Sequence, residues 1–214
     1  MTWRIIAVIL AGYALGNLNG AIITSHLFHN EDVRDKGSGN AGLTNFFRNY
    51  SGLDTLIVLV TDAGKAILAC SVGLWLFRDF DPAFVPSAEM IGGAMSVVGH
   101  IFPVVWSLRG GKGIMTCAGI TLFFGFVHGI WVMFLVCLGV FVLAVVLSKY
   151  VSLGSILDAL AYPFVFWLFL PPEHLVHILA ACLAALAIFM HRGNIVRIFQ
   201  GTERKLSFQK KKTE

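Results

Sequence analysis

The chain has 214 residues, 57% hydrophobic and 13% charged, with a net charge of +4 and a mean hydropathy of +0.79. Soluble domains carry about a quarter charged residues, so a water-soluble globule is excluded and the bilayer becomes the solvent to consider. The excess charge sits mostly in a basic tail at about 198–214, ending Lys210-Lys211-Lys212, which fits attraction to anionic lipid; no nucleic-acid partner is expected.

In chain order, Trp3 to Thr24 reads as a first membrane-spanning helix despite Asn17 and Asn19. It does not read as a signal peptide, because Arg4, at its front end, is the only basic residue there and no A-x-A-like cleavage site follows. The charged stretch from His29 to Lys36 then leads into Gly37-Ser38-Gly39-Asn40-Ala41-Gly42-Leu43-Thr44-Asn45-Phe46-Phe47-Arg48. This run contains a literal G-x-G-x-x-G, but a dinucleotide fold needs a strand before it, and none is indicated. The physics of the run is independent of that fold. Glycine tolerates positive φ and lets backbone N–H groups converge on an anion. Ser38, Asn40, Thr44 and Asn45 add hydrogen-bonding side chains, and Arg48 adds a fork matched to phosphate oxygens.

Leu53 to Phe77 is the second spanning segment. Within it Asp62 and Lys65 share a helix face three residues apart, as a structural ion pair or as support for a site. Phe84 to Trp106 is the third, overlapping Gly99-His100-Ile101-Phe102-Pro103 and followed by Leu108-Arg109-Gly110-Gly111-Lys112-Gly113. The second of these motifs is not a Walker A loop: Trp106 stands where its first glycine belongs, and Gly113 where Ser or Thr should follow the lysine. A lysine with free glycine amides before a long helix is nevertheless suited to an anion.

No Asp, Glu, Lys or Arg occurs in the 36 residues from Gly113 to Ser148. One helix of that length would reach about 54 Å against a hydrocarbon core of about 30 Å, so the stretch must cross twice. Its natural bend is Phe126-Val127-His128-Gly129, which gives His128 no more than a bend position. Ser148-Lys149-Tyr150-Val151-Ser152-Leu153-Gly154-Ser155 precedes the next helix, where Ser152 or Ser155 can act as an N-cap or as part of a site. Val151 to Met190 divides at Leu170-Pro171-Pro172-Glu173, since adjacent prolines cannot continue a helix. His191-Arg192-Gly193-Asn194-Ile195-Val196-Arg197 and Gly201-Thr202-Glu203 close the chain.

The expectation is a single all-α integral membrane domain over 1–214 with about seven transmembrane helices. The loops 25–52, 107–113 and 148–155 and the tail from His191 hold three, two, one and seven basic residues, against Arg4 and Arg78 on the other side. Positive charge stays inside, so the N-terminus is expected outside, the C-terminus in the cytoplasm, and the active site on cytoplasmic loops. Cys70, Cys117, Cys137 and Cys182 fall in apolar stretches without a C-x-x-C and read as buried structural thiols. The pairs His26/His29 and His174/His177 lack a nearby third ligand, so no metal is expected.

Together, Gly37–Asn45 with Arg48, Asp62-x-x-Lys65, Gly99–Pro103 with Arg109–Gly113, Ser152–Ser155, and His191–Ile195 with Gly201–Glu203 form five ordered motifs over nearly the whole chain. In these the chain resembles the bacterial membrane acyl-phosphate:glycerol-3-phosphate acyltransferases. Ala41-Gly42-Leu43 and Gly16-Asn17-Leu18-Asn19 depart from the family's more usual Ile-Gly-Ala and Gly-Ser-x-Pro.

The resemblance implies an inner-membrane, multi-pass enzyme that moves a fatty acyl group from acyl phosphate to glycerol 3-phosphate, without a cofactor. It implies catalytic roles for Lys112, His100, Arg48 and Asn45. It implies substrate contacts from Ser38, Gly39, Asn40, Thr44, Arg109, Gly111, Ser152, Asn194 and Arg197. His100 is the nearest thing to a general base, with two alternatives: it orders the 99–103 turn, or a substrate phosphate takes the proton. A carrier for organic phosphates would also want basic loops, but the chain shows no internal repeat and seven segments do not halve.

Overall fold

The computed structural model describes residues 1–50 and 52–206; the tail motif Lys210-Lys211-Lys212 lies outside the described residues. Among them there is no strand. Ten α-helices follow in order: α1 Thr2–Gly16, α2 Gly20–His29, α3 Leu43–Asn49, α4 Gly52–Phe77, α5 Val85–Ile101, α6 Ile114–Val127, α7 Trp131–Ser148, α8 Val151–Phe169, α9 His174–Met190 and α10 Arg192–Phe199.

Each apolar stretch of the sequence becomes helix, and the breaks fall at the residues that cannot continue one. Gly129, at φ +71°, turns the chain between α6 and α7, and Pro171-Pro172 separates α8 from α9. By length and composition, five described segments can cross a bilayer: Thr2–His29 (α1 with α2), Gly52–Phe77, Pro82–Trp106, Trp131–Ser148 and Val151–Phe169. A sixth arises if α9 and α10, bent by 54°, are taken as one; α6 is apolar but only 14 residues long.

The first segment differs from the single helix expected over Trp3–Thr24. Asn17 and Asn19 break it, because their amides bond the backbone themselves. Asn17 Nδ2 donates to the Tyr13 carbonyl (2.7 Å), and Asn19 Oδ1 accepts from Ile22 N (3.0 Å), capping α2. α2 then continues to His29, into what the sequence marks as loop.

The main core cluster is drawn from six helices, including Cys70 of α4, Val97 of α5, Ile120 and Phe124 of α6, Met133 of α7, Phe166 of α8 and Leu183 of α9, and two smaller clusters form around Phe46 and Phe77. α1 and α5 approach closely because glycines face each other: a Cβ on Gly16 would stand 2.4 Å from the Ser96 carbonyl oxygen, and one on Gly99 2.4 Å from that of Tyr13. Large apolar side chains elsewhere face outward, Leu147 of α7 at 76% exposure and Trp167 of α8 at 70%, as expected of a lipid-facing surface. Cys182 is a correction: it is exposed on α9, whereas Cys70, Cys117 and Cys137 are buried. Lipid is as apolar as a core, so hydrophobicity does not tell the two faces of such a helix apart.

His128 is more than a bend residue. Its Nε2 lies 2.7 Å from Oε2 of the fully buried Glu89, one turn into α5.

Candidate active site

At the end of the bundle where α3, α6, α8 and α10 begin, a cavity of about 490 Å³ opens between these helices and the chain segment after α10. It brings together most of the residues singled out from the sequence: Ser38, Asn40, Thr44, Asn45 and Arg48, with Lys112, Ser152, Asn194 and Arg197 across from them and His100 behind, beside Asp62. Deeper in, Leu59, Met115, Ala118, Phe134, Leu138 and Phe141 make an apolar lining. Most of the polar lining comes from loops and helix ends and most of the apolar lining from α4, α6 and α7, with Asp62, Cys137 and Asp158 as polar groups within the helices.

Three of the expected residues do not line it. Arg109 is exposed, and its carbonyl accepts from Arg34 Nη1 (3.3 Å). Gly39, at φ +70°, shapes the turn. Gly111 lies against His100 Nε2, 2.2 Å from where its Cβ would stand. The expected free amides around Lys112 are also partly committed: Gly110 N donates to the Ile101 carbonyl and Gly111 N to that of His100, each at 3.1 Å. What remains beside Lys112 is the first turn of α6, where Gly113, Ile114 and Met115 line the cavity.

Asn45 is buried and its amide is engaged on both sides. Oδ1 accepts from Ser38 N (2.9 Å), and Nδ2 donates to the carbonyls of Val33 (3.1 Å) and Lys36 (3.0 Å). Its side chain holds the loop that carries Ser38. Neither serine of the fourth motif caps α8: Ser155 Oγ donates back to the Val151 carbonyl (3.1 Å), and Ser152 Oγ donates to Glu203 Oε1 (2.9 Å).

Glu203 is the residue that sequence reasoning left out of the site, although it stood in the last motif. Its carboxylate also accepts from Asn194 Nδ2 (2.8 Å) and Arg197 Nε (2.7 Å), tying α8 to α10. Burial works to raise the Glu203 carboxyl, but these three donors outweigh it and hold it below its ordinary value. Asp158, also lining the cavity, was missed as well; a lone acid in an apolar stretch was its signal.

Lys112 Nζ donates to Asn194 Oδ1. Arg48 Nη2 donates to the Arg204 carbonyl (3.2 Å). Burial first, then the charges of Arg197 and Arg48, push Lys112 down to about 8, with Glu203 opposing. Burial likewise lowers Arg48. The fold thus gathers cations at some electrostatic cost, which an anion in the cavity mouth would relieve.

The back wall is different. Lys65 Nζ donates to the Leu18 carbonyl (2.9 Å) and Asp62 Oδ1 (2.9 Å) and lies 2.7 Å from His100 Nδ1. Asp62 Oδ1 also accepts from Gly20 N (3.1 Å), and all three side chains are buried. Asp62 and Lys65 are therefore a buried pair in contact with the site histidine.

Fold and site define an integral membrane protein with a cationic cavity mouth that continues into an apolar interior. The chain belongs to the glycerol-3-phosphate acyltransferase family, whose model matches residues 6–201, and is an acyltransferase of glycerolipid synthesis. It is 35% identical over 234 residues to the glycerol-3-phosphate acyltransferase of Chlorobaculum tepidum, covering 96% of this chain and 98% of that one. To the Listeria monocytogenes serotype 4a protein of the same name it is 36% identical over 208 residues, covering 97% and 100%. It superimposes on the crystal structure of PlsY (YgiH), an integral membrane glycerol 3-phosphate acyltransferase, in its glycerol 3-phosphate form. That match has a TM-score of 0.82 at 27% identity, covering 96% of this chain and 99% of that one. The lysophosphatidic acid form of PlsY matches with a TM-score of 0.79 at 26% identity, covering 95% of each chain.

Proposed function

We propose that this protein transfers a fatty acyl group from acyl phosphate to glycerol 3-phosphate, giving 1-acyl-glycerol 3-phosphate and inorganic phosphate. It would do so as a single seven-helix domain of the bacterial inner membrane, N-terminus outside, with the cavity facing the cytoplasm. The observation that carries this reading is the make-up of the cavity: Arg48, Lys112 and Arg197 at a polar mouth, over an apolar interior. Both substrates bring a phosphate group, and one brings a long acyl chain.

The chemistry asks little of an acid. The 1-hydroxyl oxygen attacks the acyl carbon, the bond from that carbon to the phosphate oxygen breaks, and its electron pair leaves on phosphate. The hydroxyl proton passes to a substrate phosphate oxygen. The protein's part is positioning and charge stabilisation. Lys112 and Arg48, with Ser38, Asn40 and Thr44, would steady the phosphate and the carbonyl oxygen. Asn45, Gly39 and Gly111 would shape the loops that present them, and Ser152, Asn194 and Arg197 would hold glycerol 3-phosphate. Arg109, exposed outside the cavity, would serve as a basic loop residue on the cytoplasmic side.

The test is purified protein with palmitoyl phosphate and glycerol 3-phosphate. Phosphate released should equal lysophosphatidate formed, with none released when glycerol 3-phosphate is left out. Acyl-CoA serving as an equal or better donor would overturn the proposed donor.

A further inference from the structure

A lysine ammonium has three N–H donors and nothing to accept with. Lys65 Nζ has three neighbours within hydrogen-bond distance: the Leu18 carbonyl, Asp62 Oδ1 and His100 Nδ1. The first two are acceptors by nature, and the Asp62 carboxylate, buried beside it, calls for the charged form of the lysine. The third N–H then points at His100 Nδ1, which must be the unprotonated nitrogen of the ring.

We infer that Lys65, itself held by Asp62 and the Leu18 carbonyl, locks His100 in the Nε2–H tautomer, so that His100 meets a bound substrate as a hydrogen-bond donor and not as a base. The inference rests on the acyl-transfer reading above for its consequence, but not for the tautomer itself. With Nδ1 committed to Lys65, the ring's other nitrogen is the one left for the cavity that His100 lines. Gly111 packs against that edge and only a glycine fits there: a Cβ would stand 2.2 Å from Nε2. A donor at this place suits an oxygen that gains negative charge, on the acyl carbonyl or on a phosphate. Lys65 and Asp62 act through the histidine and are positioning residues.

Removing the lysine should reverse the ring. Asp62 Oδ1 lies 3.5 Å from His100 Nδ1 and, as a carboxylate, can only accept. In Lys65→Met it becomes the remaining partner, the proton moves to Nδ1, and Nε2 turns into an acceptor. Lys65→Gln keeps a neutral N–H donor on the same helix position.

The experiment is the ring 15N chemical shifts of histidine-labelled protein in nanodiscs, read with the steady-state kinetics of acyl transfer. The wild-type His100 ring should be neutral with its proton on Nε2. Lys65→Met should show the proton on Nδ1 and lower kcat about 100-fold; Lys65→Gln should keep it on Nε2 and recover about tenfold of that loss. A wild-type ring protonated on Nδ1, or on both nitrogens, would overturn the inference. So would a folded Lys65→Met protein whose ring stays Nε2–H while its rate collapses, as for a merely structural lysine. If Lys65→Met does not fold, the wild-type shifts and Lys65→Gln still decide. The shifts need no turnover, so a wild-type protein with the Nε2–H ring and no acyl transfer would sink the functional reading alone.

Discussion

The two walls of the cavity use the same residue types in opposite ways. On the back wall, between α4 and α5, Lys65 is 3% exposed and each of its protons has an acceptor. On the facing wall, Lys112 donates to Asn194 alone among the described residues, and Arg48 to one carbonyl. A charge whose hydrogen bonds are filled by the fold holds the fold together; a charge with donors to spare is available to a ligand. The same sequence chemistry, a lysine beside an apolar helix, thus reports scaffold in one place and site in the other.

That contrast can be broken by stability measurements. Lys65→Met leaves the buried Asp62 without its ion-pair partner and should cost about 3–5 kcal/mol, seen as earlier melting in detergent. Lys112→Ala should melt close to wild type, because it relieves repulsion from Arg197 and Arg48. Two lysines that melt alike would erase the distinction.

Activity should divide the other way. Lys112→Ala should lower kcat/KM about 10²–10³-fold, the range for loss of a preorganised stabilising donor. Lys112→Arg should recover only part, since a planar fork does not replace a point charge. The pH profile sharpens this. Lys112 is held down to about 8, and its ammonium is the form that attracts phosphate, so kcat/KM should fall as pH rises through about 8. Lys112→Arg, which stays charged, should lack that falling limb.

Smaller effects are expected around Glu203. Glu203→Gln keeps a hydrogen-bonding group for Ser152 and Asn194 but removes the charge opposite Arg197, and should raise KM for glycerol 3-phosphate about tenfold. An unchanged KM would mean that the Arg197 pair does not order the site. The smallest effect is the one expected of EDTA, which should leave the rate unchanged. Loss of activity restored by one divalent ion would show otherwise.

Much of this was legible in the sequence. Apolar stretches cut by Pro171-Pro172 and by Gly129 mark the helices, because these residues act locally. The polar residues clustered in glycine-rich loops do converge on one cavity. What was not legible depends on distant partners. Glu89 finds His128 across 39 residues, and Glu203 finds Ser152 across 51, and no local periodicity encodes either pair. The break at Asn17–Asn19 was hidden because two polar residues hardly change the hydropathy of so apolar a stretch. Asn45 and Gly111 were marked for the site by residue type, yet their contacts serve the loops that build it.

The central claim is that the open wall, and Lys112 above all, holds a phosphate group. Equilibrium binding of radiolabelled glycerol 3-phosphate to purified wild type, Lys112→Ala and Glu89→Gln tests it most directly. Glu89→Gln alters the buried pair with His128, which lies away from the cavity lining. The account predicts at least about tenfold weaker binding for Lys112→Ala, a lost charge-assisted contact, and wild-type binding for Glu89→Gln. Equal affinity in wild type and a folded Lys112→Ala protein would contradict it.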